Sequence, residues 1–238
     1  MESKPIVLVH GAWHGGWCWS RVVPLLQEKG HRVFAPSLTG LGDRRHLLTD
    51  SVSLQTHIDD IVNLIEFEEL EDVVLCAHSA GGQVVAGVEQ VLGDRIAHLI
   101  YLEAVIPAEG ESLNDVLGDG DGLPDLFTQN ANDEGDGWRV TPSAFTAEAL
   151  GITDPTDAAW LLPKLTDHPF SAFTTPFHDK GLRARRHTFV RCQLFELGWP
   201  DRLLANAEAD PHWETALLPT GHDAQVTMPR EVADIIMG

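Results

Sequence analysis

Three cysteines in a chain of 238 residues, Cys18, Cys76 and Cys192, supply no disulfide framework. Cys76 and Cys192 fall inside apolar, strand-like runs, where a reduced thiol behaves as a small hydrophobe. Positive charge is equally scarce. Sixteen lysines and arginines face 36 acids, a formal net charge of −20. That balance argues against nucleic acid and against anionic membrane, because both partners are polyanions. No apolar run approaches the length needed to span a bilayer, and "MESKPIVLVHG" leads straight into a strand pattern without a basic, then apolar, leader. A cytoplasmic location is the expectation. The sequence leaves the oligomeric state open.

What is present is an alternation. Short β-branched runs at Pro5–His10, Arg32–Ala35, Asp72–Ala77, Ile96–Glu103, His187–Cys192 and Trp213–Leu218 are apolar on both faces, as strands buried from both sides must be. Between them lie helix-period segments. In Ser53–Leu70, Leu54, Ile58, Ile61 and Ile65 share one face. Ser20–Gly30, with Ser20 as N-cap, Ala80–Leu92 and Pro229–Met237 complete the set. Strand, helix, strand in this order predicts one α/β domain with a mostly parallel six-stranded sheet and helices on both faces. Ligands then bind beyond the carboxyl ends of the strands.

Residues 107–184 break the rhythm, with half of the 14 prolines and no strong strand. They are predicted to be a helical lid inserted between two parts of a core, residues 1–106 and 185–238. The stretch "GDGDGLPD" lacks calcium-loop spacing, since Leu123 and Pro124 replace a ligand and the required glycine after Asp119; a solvated acidic loop is the expectation. No metal or cofactor is implied.

Chemistry should follow the strands. After the first comes "HGAWHGGWCW", whose glycines allow a sharp turn and whose tryptophans, Trp13 among them, serve either as loop packing or as walls of an apolar pocket. After the third comes "AHSAGG". The pattern G-x-S-x-G marks a serine on a strained strand-to-helix turn, and here Ala77 and Gly81 supply the small flanking residues around Ser79. The following helix N-terminus favours an oxyanion beside the hydroxyl. After the last strand, "LPTGHDAQVTMP" places His222 just before the C-terminal helix.

Together "LVHGAWHGGWCW", "APSLTGLGDR", "THIDDIVNLIE", "AHSAGG", "LIYLEAVIP" and "GHDAQVTMP" resemble the α/β-hydrolase superfamily over essentially the whole chain. The likeness is greatest to its small esterases, methyl-ester and carbamate hydrolases and hydroxynitrile lyases. The resemblance implies a nucleophile at Ser79, a base at His222, and an oxyanion hole from the backbone N–H groups of Ala12 and Ala80. Trp13 and His78 are expected in the substrate pocket. The acid that should orient His222 is missing from its usual place after "HTFVRC". Glu103, closing the strand "LIYLE", is the expected acid, with Glu196 and Asp223 as alternatives. The expected activity is hydrolysis of a small-molecule ester or carbamate without a cofactor. A catalytically silent binding protein is one alternative. Hydroxynitrile lyase is another, disfavoured because Gly11 and Asp223 stand where that activity is associated with threonine and lysine.

Overall fold

The computed structural model describes residues 3–118, 120–144, 146–178 and 184–238. Six strands, β1 (Ile6–Val9), β2 (Val33–Phe34), β3 (Val73–His78), β4 (Ile96–Leu102), β7 (His187–Cys192) and β8 (Trp213–Leu218), form one sheet in the order β2-β1-β3-β4-β7-β8. Every pairing in it is parallel. The strands between, β5 (Arg139–Val140) and β6 (His168–Pro169), form a two-stranded antiparallel pair, which no apolar run in the sequence announces.

Strand alternation sends side chains to opposite faces. Val7 and Val9 of β1 and Val73, Leu75 and Ala77 of β3 enter one hydrophobic cluster. Ile6, Leu8, Val74 and Cys76 enter the cluster on the other face. On the first face lie the helices α2 (Leu54–Phe67) and α3 (Gly81–Leu92); on the second lies α1 (Val23–Glu28). Helix α2 starts at a reciprocal capping box between Ser53 and Thr56 and buries Leu54, Ile58, Ile61 and Ile65, the stripe its 3.6-residue period required. Helix α1 begins later than the sequence suggests. Ser20 closes a 3-10 turn over Gly16–Trp19, and Val22 is the N-cap, without a side-chain bond.

Residues 107–178 carry α4 (Leu113–Leu117), α5 (Leu123–Asp133), α6 (Pro155–Leu161) and α7 (Ser171–Thr174). The chain then returns through β7, α8 (Gly198–Ala209), β8, α9 (Ala224–Thr227) and α10 (Pro229–Met237). Asp119 of the acidic loop and residues 179–183 of the expected lid lie outside the described residues.

The order of the strands decides where a ligand can sit. From β1 the chain steps outward to β2, then crosses back to place β3 on the other side of β1. The loops leaving the carboxyl ends of β1 and β3 therefore diverge, and a crevice opens between them.

Candidate active site

Ser79 follows the last residue of β3 and holds φ at +52°, the left-handed region that a residue with a Cβ seldom occupies. The bend is held from the β4 side. The Ser79 N–H donates to the Leu102 carbonyl at 3.3 Å, and the Val105 N–H donates to the Ser79 carbonyl at 3.1 Å. The small residues around it have a steric cause. A Cβ at Gly82 would lie 2.0 Å from the Val105 oxygen, and one at Gly11 would lie 2.8 Å from the Ser79 Cβ.

The loop after β1 approaches from the other side. His10 accepts from the Leu38 N–H through Nε2 at 3.0 Å, so Nδ1 carries the proton that it donates to the Gly11 carbonyl at 2.8 Å. Burial pushes the His10 pKa down to about 3, which keeps this neutral tautomer. Across a trans peptide the N–H points opposite to the C=O, so the Ala12 amide is aimed away from His10. Among the described residues neither the Ala12 nor the Ala80 amide donates to a protein acceptor, and both residues line one cavity with Ser79.

That cavity has a volume of about 50 Å³ and is walled by Trp13, Phe127, Phe173, Phe195 and Trp199, with leucines from α4 and α5. Trp13 is fixed at φ +62°, and its indole donates to the Val140 carbonyl at 2.9 Å. It packs against Phe127 and Phe173 at centroid distances of 5.5 and 5.6 Å. This tryptophan thus both packs its loop against α5 and α7 and lines the cavity. The polar side chains in the lining are His14, Ser79 and His222.

His222 is buried, with the Phe195 ring stacked on it at 4.3 Å. Its N–H donates to the Leu150 carbonyl at 2.9 Å. Burial pushes its pKa down to about 4, against the opposing field of Asp223. The ring is therefore neutral at pH 7 and able to accept a proton. Its Nδ1 is buried without a hydrogen-bond partner. No hydrogen bond joins His222 to Ser79 among the described residues.

The three carboxylates considered for His222 occupy different settings. Glu196 is exposed. Asp223 is fully buried, but its Oδ1 lies 3.1 Å from His14 Nε2 and accepts from Gln225 Nε2 at 2.8 Å. Glu103, at φ +44° and fully buried, accepts from Arg191 Nη1 at 2.6 Å and from the Cys192 amide at 2.5 Å. Burial pushes its carboxyl up to about 8, although the Cys192 amide and Arg191 both favour the ionised form. Glu103 thus reaches the expected edge of the sheet with its carboxylate turned to Arg191 rather than to His222.

His78 is corrected outright. Its ring does not line the cavity: Nε2 donates to the His222 carbonyl at 3.0 Å, and Nδ1 faces Gln225 at 3.3 Å. With both nitrogens engaged beneath the elbow, it supports the loop of His222 instead of meeting a substrate. His14 was missed as a cavity residue. The only signal in the sequence is its place in "HGAWHGG", four residues after His10.

A doubly flanked parallel sheet with a strained serine at its topological switch defines the α/β hydrolase class. The alpha/beta hydrolase family matches residues 6–235, and the chain belongs to it. A carbendazim hydrolyzing esterase of Nocardioides sp. strain SG-4G is 35% identical, with 96% of each chain aligned. A pyrethroid hydrolase from Sphingobium faniae JZ-2 is 26% identical over 99% of this chain and 96% of that one, with a TM-score of 0.78. An extracellular alpha/beta-hydrolase from a Paenibacillus species shares the fold at a TM-score of 0.83 and 20% identity, over 98% of this chain and 97% of that one.

Proposed function

We propose that this ester hydrolase works by acyl transfer to Ser79. His222 takes the hydroxyl proton as Oγ attacks the substrate carbonyl, then returns it to the departing alcohol. Water, activated by the same imidazole, next cleaves the acyl-enzyme. The Ala12 and Ala80 amides receive the oxyanion. A single donor of this kind is typically worth about 3 kcal/mol. The observation that carries this reading is the left-handed serine facing, in one cavity, two amides without protein acceptors and a neutral imidazole.

Residues 107–184 act as a lid whose leucines and aromatics close over the acyl or alkoxy group. The substrate is accordingly a compact, partly apolar ester or carbamate. The protein works in the cytoplasm, where its three free and buried cysteines stay reduced.

Glu103 is the acid that serves His222. It neighbours Arg191, whose charge is close enough to depress the His222 pKa, and the buried Nδ1 of His222 has no other hydrogen-bond partner. The unpartnered Nδ1 is also the one feature that favours a second reading, a pocket that binds without turnover.

A fluorophosphonate probe separates the two. Covalent labelling of the wild-type protein, lost in Ser79→Ala, is the expected result; folded wild-type protein that takes no label would sink the nucleophile. For the acid, Glu103→Gln is expected to lose at least about tenfold in kcat on a p-nitrophenyl ester, whereas Glu196→Gln stays within about twofold. The reverse order would transfer the role.

A further inference from the structure

His14 is a buried, cavity-lining histidine with a partner on each side. Its Nδ1 lies 2.7 Å from the Ala12 carbonyl oxygen. A carbonyl only accepts, so Nδ1 carries a proton. Its Nε2 lies 3.1 Å from Asp223 Oδ1, an ion-pair contact without hydrogen-bond geometry. Burial opposes a charge on the ring, but the Asp223 carboxylate and the Ala12 carbonyl together favour it, and the His14 pKa is raised. The ring is further stacked on Trp17 at 5.5 Å and meets the edge of His78 at 5.7 Å. The His14 ring thus spans two loops that the chain places far apart, its Nδ1 proton on Ala12 and its Nε2 facing the Asp223 carboxylate. One carries Ala12; the other carries His222 immediately before Asp223.

We propose that His14 is a positioning residue for the reaction: it fixes the backbone that presents the Ala12 amide and ties it to the segment that presents His222. The proposal rests on the reading of Ser79, His222 and the two amides given above. His10 holds the Gly11 carbonyl on one side of the Ala12 amide, and His14 holds the Ala12 carbonyl on the other. With both adjoining peptide oxygens held, the Gly11–Ala12 peptide cannot swing its N–H out of the cavity. Misplacing an oxyanion donor costs rate rather than binding, because charge reaches the oxygen only in the transition state.

Two substitutions divide the contacts. Glutamine places its Nε2 where His14 has Nε2, so His14→Gln keeps a donor toward Asp223 and releases Ala12. Asparagine places its Nδ2 near the position of Nδ1, so His14→Asn keeps the Ala12 contact and leaves Asp223 without the facing Nε2. With p-nitrophenyl acetate, His14→Gln is expected to lose about 10²-fold in kcat, the effect of losing one oxyanion donor, with KM within about threefold. Inhibition by an arylboronic acid, which forms a tetrahedral adduct on a serine Oγ, should weaken by a similar factor. His14→Asn should melt at a lower temperature than His14→Gln yet recover at least about tenfold of the lost kcat. A kcat for His14→Gln within about threefold of wild type, equal losses in both variants, or unchanged boronate inhibition would each overturn the proposal. Imidazole nitrogen NMR of the wild-type protein supplies a test that needs no variant: His14 should carry a proton on Nδ1 at pH 7, and an unprotonated Nδ1 refutes the clamp. Turnover by Ser79→Ala would defeat the underlying reading instead, whereas an inactive Ser79→Ala beside a normal His14→Gln defeats only this inference.

Discussion

His222→Ala is expected to lower kcat on a p-nitrophenyl ester by about 10⁴-fold or more, with a circular dichroism spectrum like that of the wild type. No neighbouring group can take over the proton. His14 keeps its Nδ1 proton on the Ala12 carbonyl and turns Nε2 to Asp223, so both nitrogens are already occupied. His78 is fastened to the His222 carbonyl and to Gln225 below the cavity. The fold should survive, since the lost ring bonds to nothing through Nδ1 and gives up its ring contacts with Phe195 and His78. Truncating such a buried ring costs on the order of 3 kcal/mol, within the stability of an ordinary domain. Steady-state kinetics on the purified variant decide the matter. A kcat within about tenfold of wild type would remove His222 from the mechanism.

The second large effect is acid unfolding. Burial holds His10 at about 3 and His98 and His222 at about 4, all below the unfolded value of 6.5. Burial likewise lowers His57, His78 and His168. As pH falls through 6.5 the unfolded chain binds protons that the folded chain refuses. The stability these groups contribute is whole above 6.5 and is lost toward pH 4. Glu103 works in the opposite sense. Raised to about 8, it makes the folded state bind one proton more between about pH 4.5 and 8, so its contribution is complete at low pH and fades as pH rises. His10, His98 and His222 against Glu103 leave a net uptake of about two protons on unfolding near pH 5. That is roughly 3 kcal/mol per pH unit before the other three histidines add to it. A stability of about 5–15 kcal/mol is then exhausted two to three units below neutrality. Thermal melts should show a steep fall in Tm from pH 7 to pH 5 and an unfolded chain near pH 4. A Tm that stays level from pH 7 to pH 4.5 would contradict the burial of these rings as neutral groups.

The strands, α2 and the bend at Ser79 were legible in the sequence because each depends on residues close together in the chain. An apolar run of β-branched residues has no solvent-facing side to lose, which marks β3 and β4 as central strands. The small residues after Ser79 announce a backbone crossing, and the Val105 oxygen against Gly82 is that crossing. The limit appears at Glu103. Its place at the edge of β4 could be read, but not its partner, because Arg191 and the Cys192 amide reach it from β7, which β4 meets only in the folded sheet.

His78 and His14 reverse what their neighbours in the chain suggest. Adjacent to Ser79, His78 looked like a pocket residue; the His222 carbonyl and Gln225 of α9 take its two nitrogens. His14 looked like part of a glycine-rich turn; Asp223 lies 3.1 Å from its Nε2 and favours its charged form. By itself the sequence determined the strand-and-helix pattern, the strained turn and the positions from which the reactive groups emerge, since sterics and periodicity act over a few residues. Only the tertiary structure decided which buried charge meets which. A polar group withdrawn from water takes whatever partner the packing brings within about 3 Å, and that proximity depends on segments far apart in the chain.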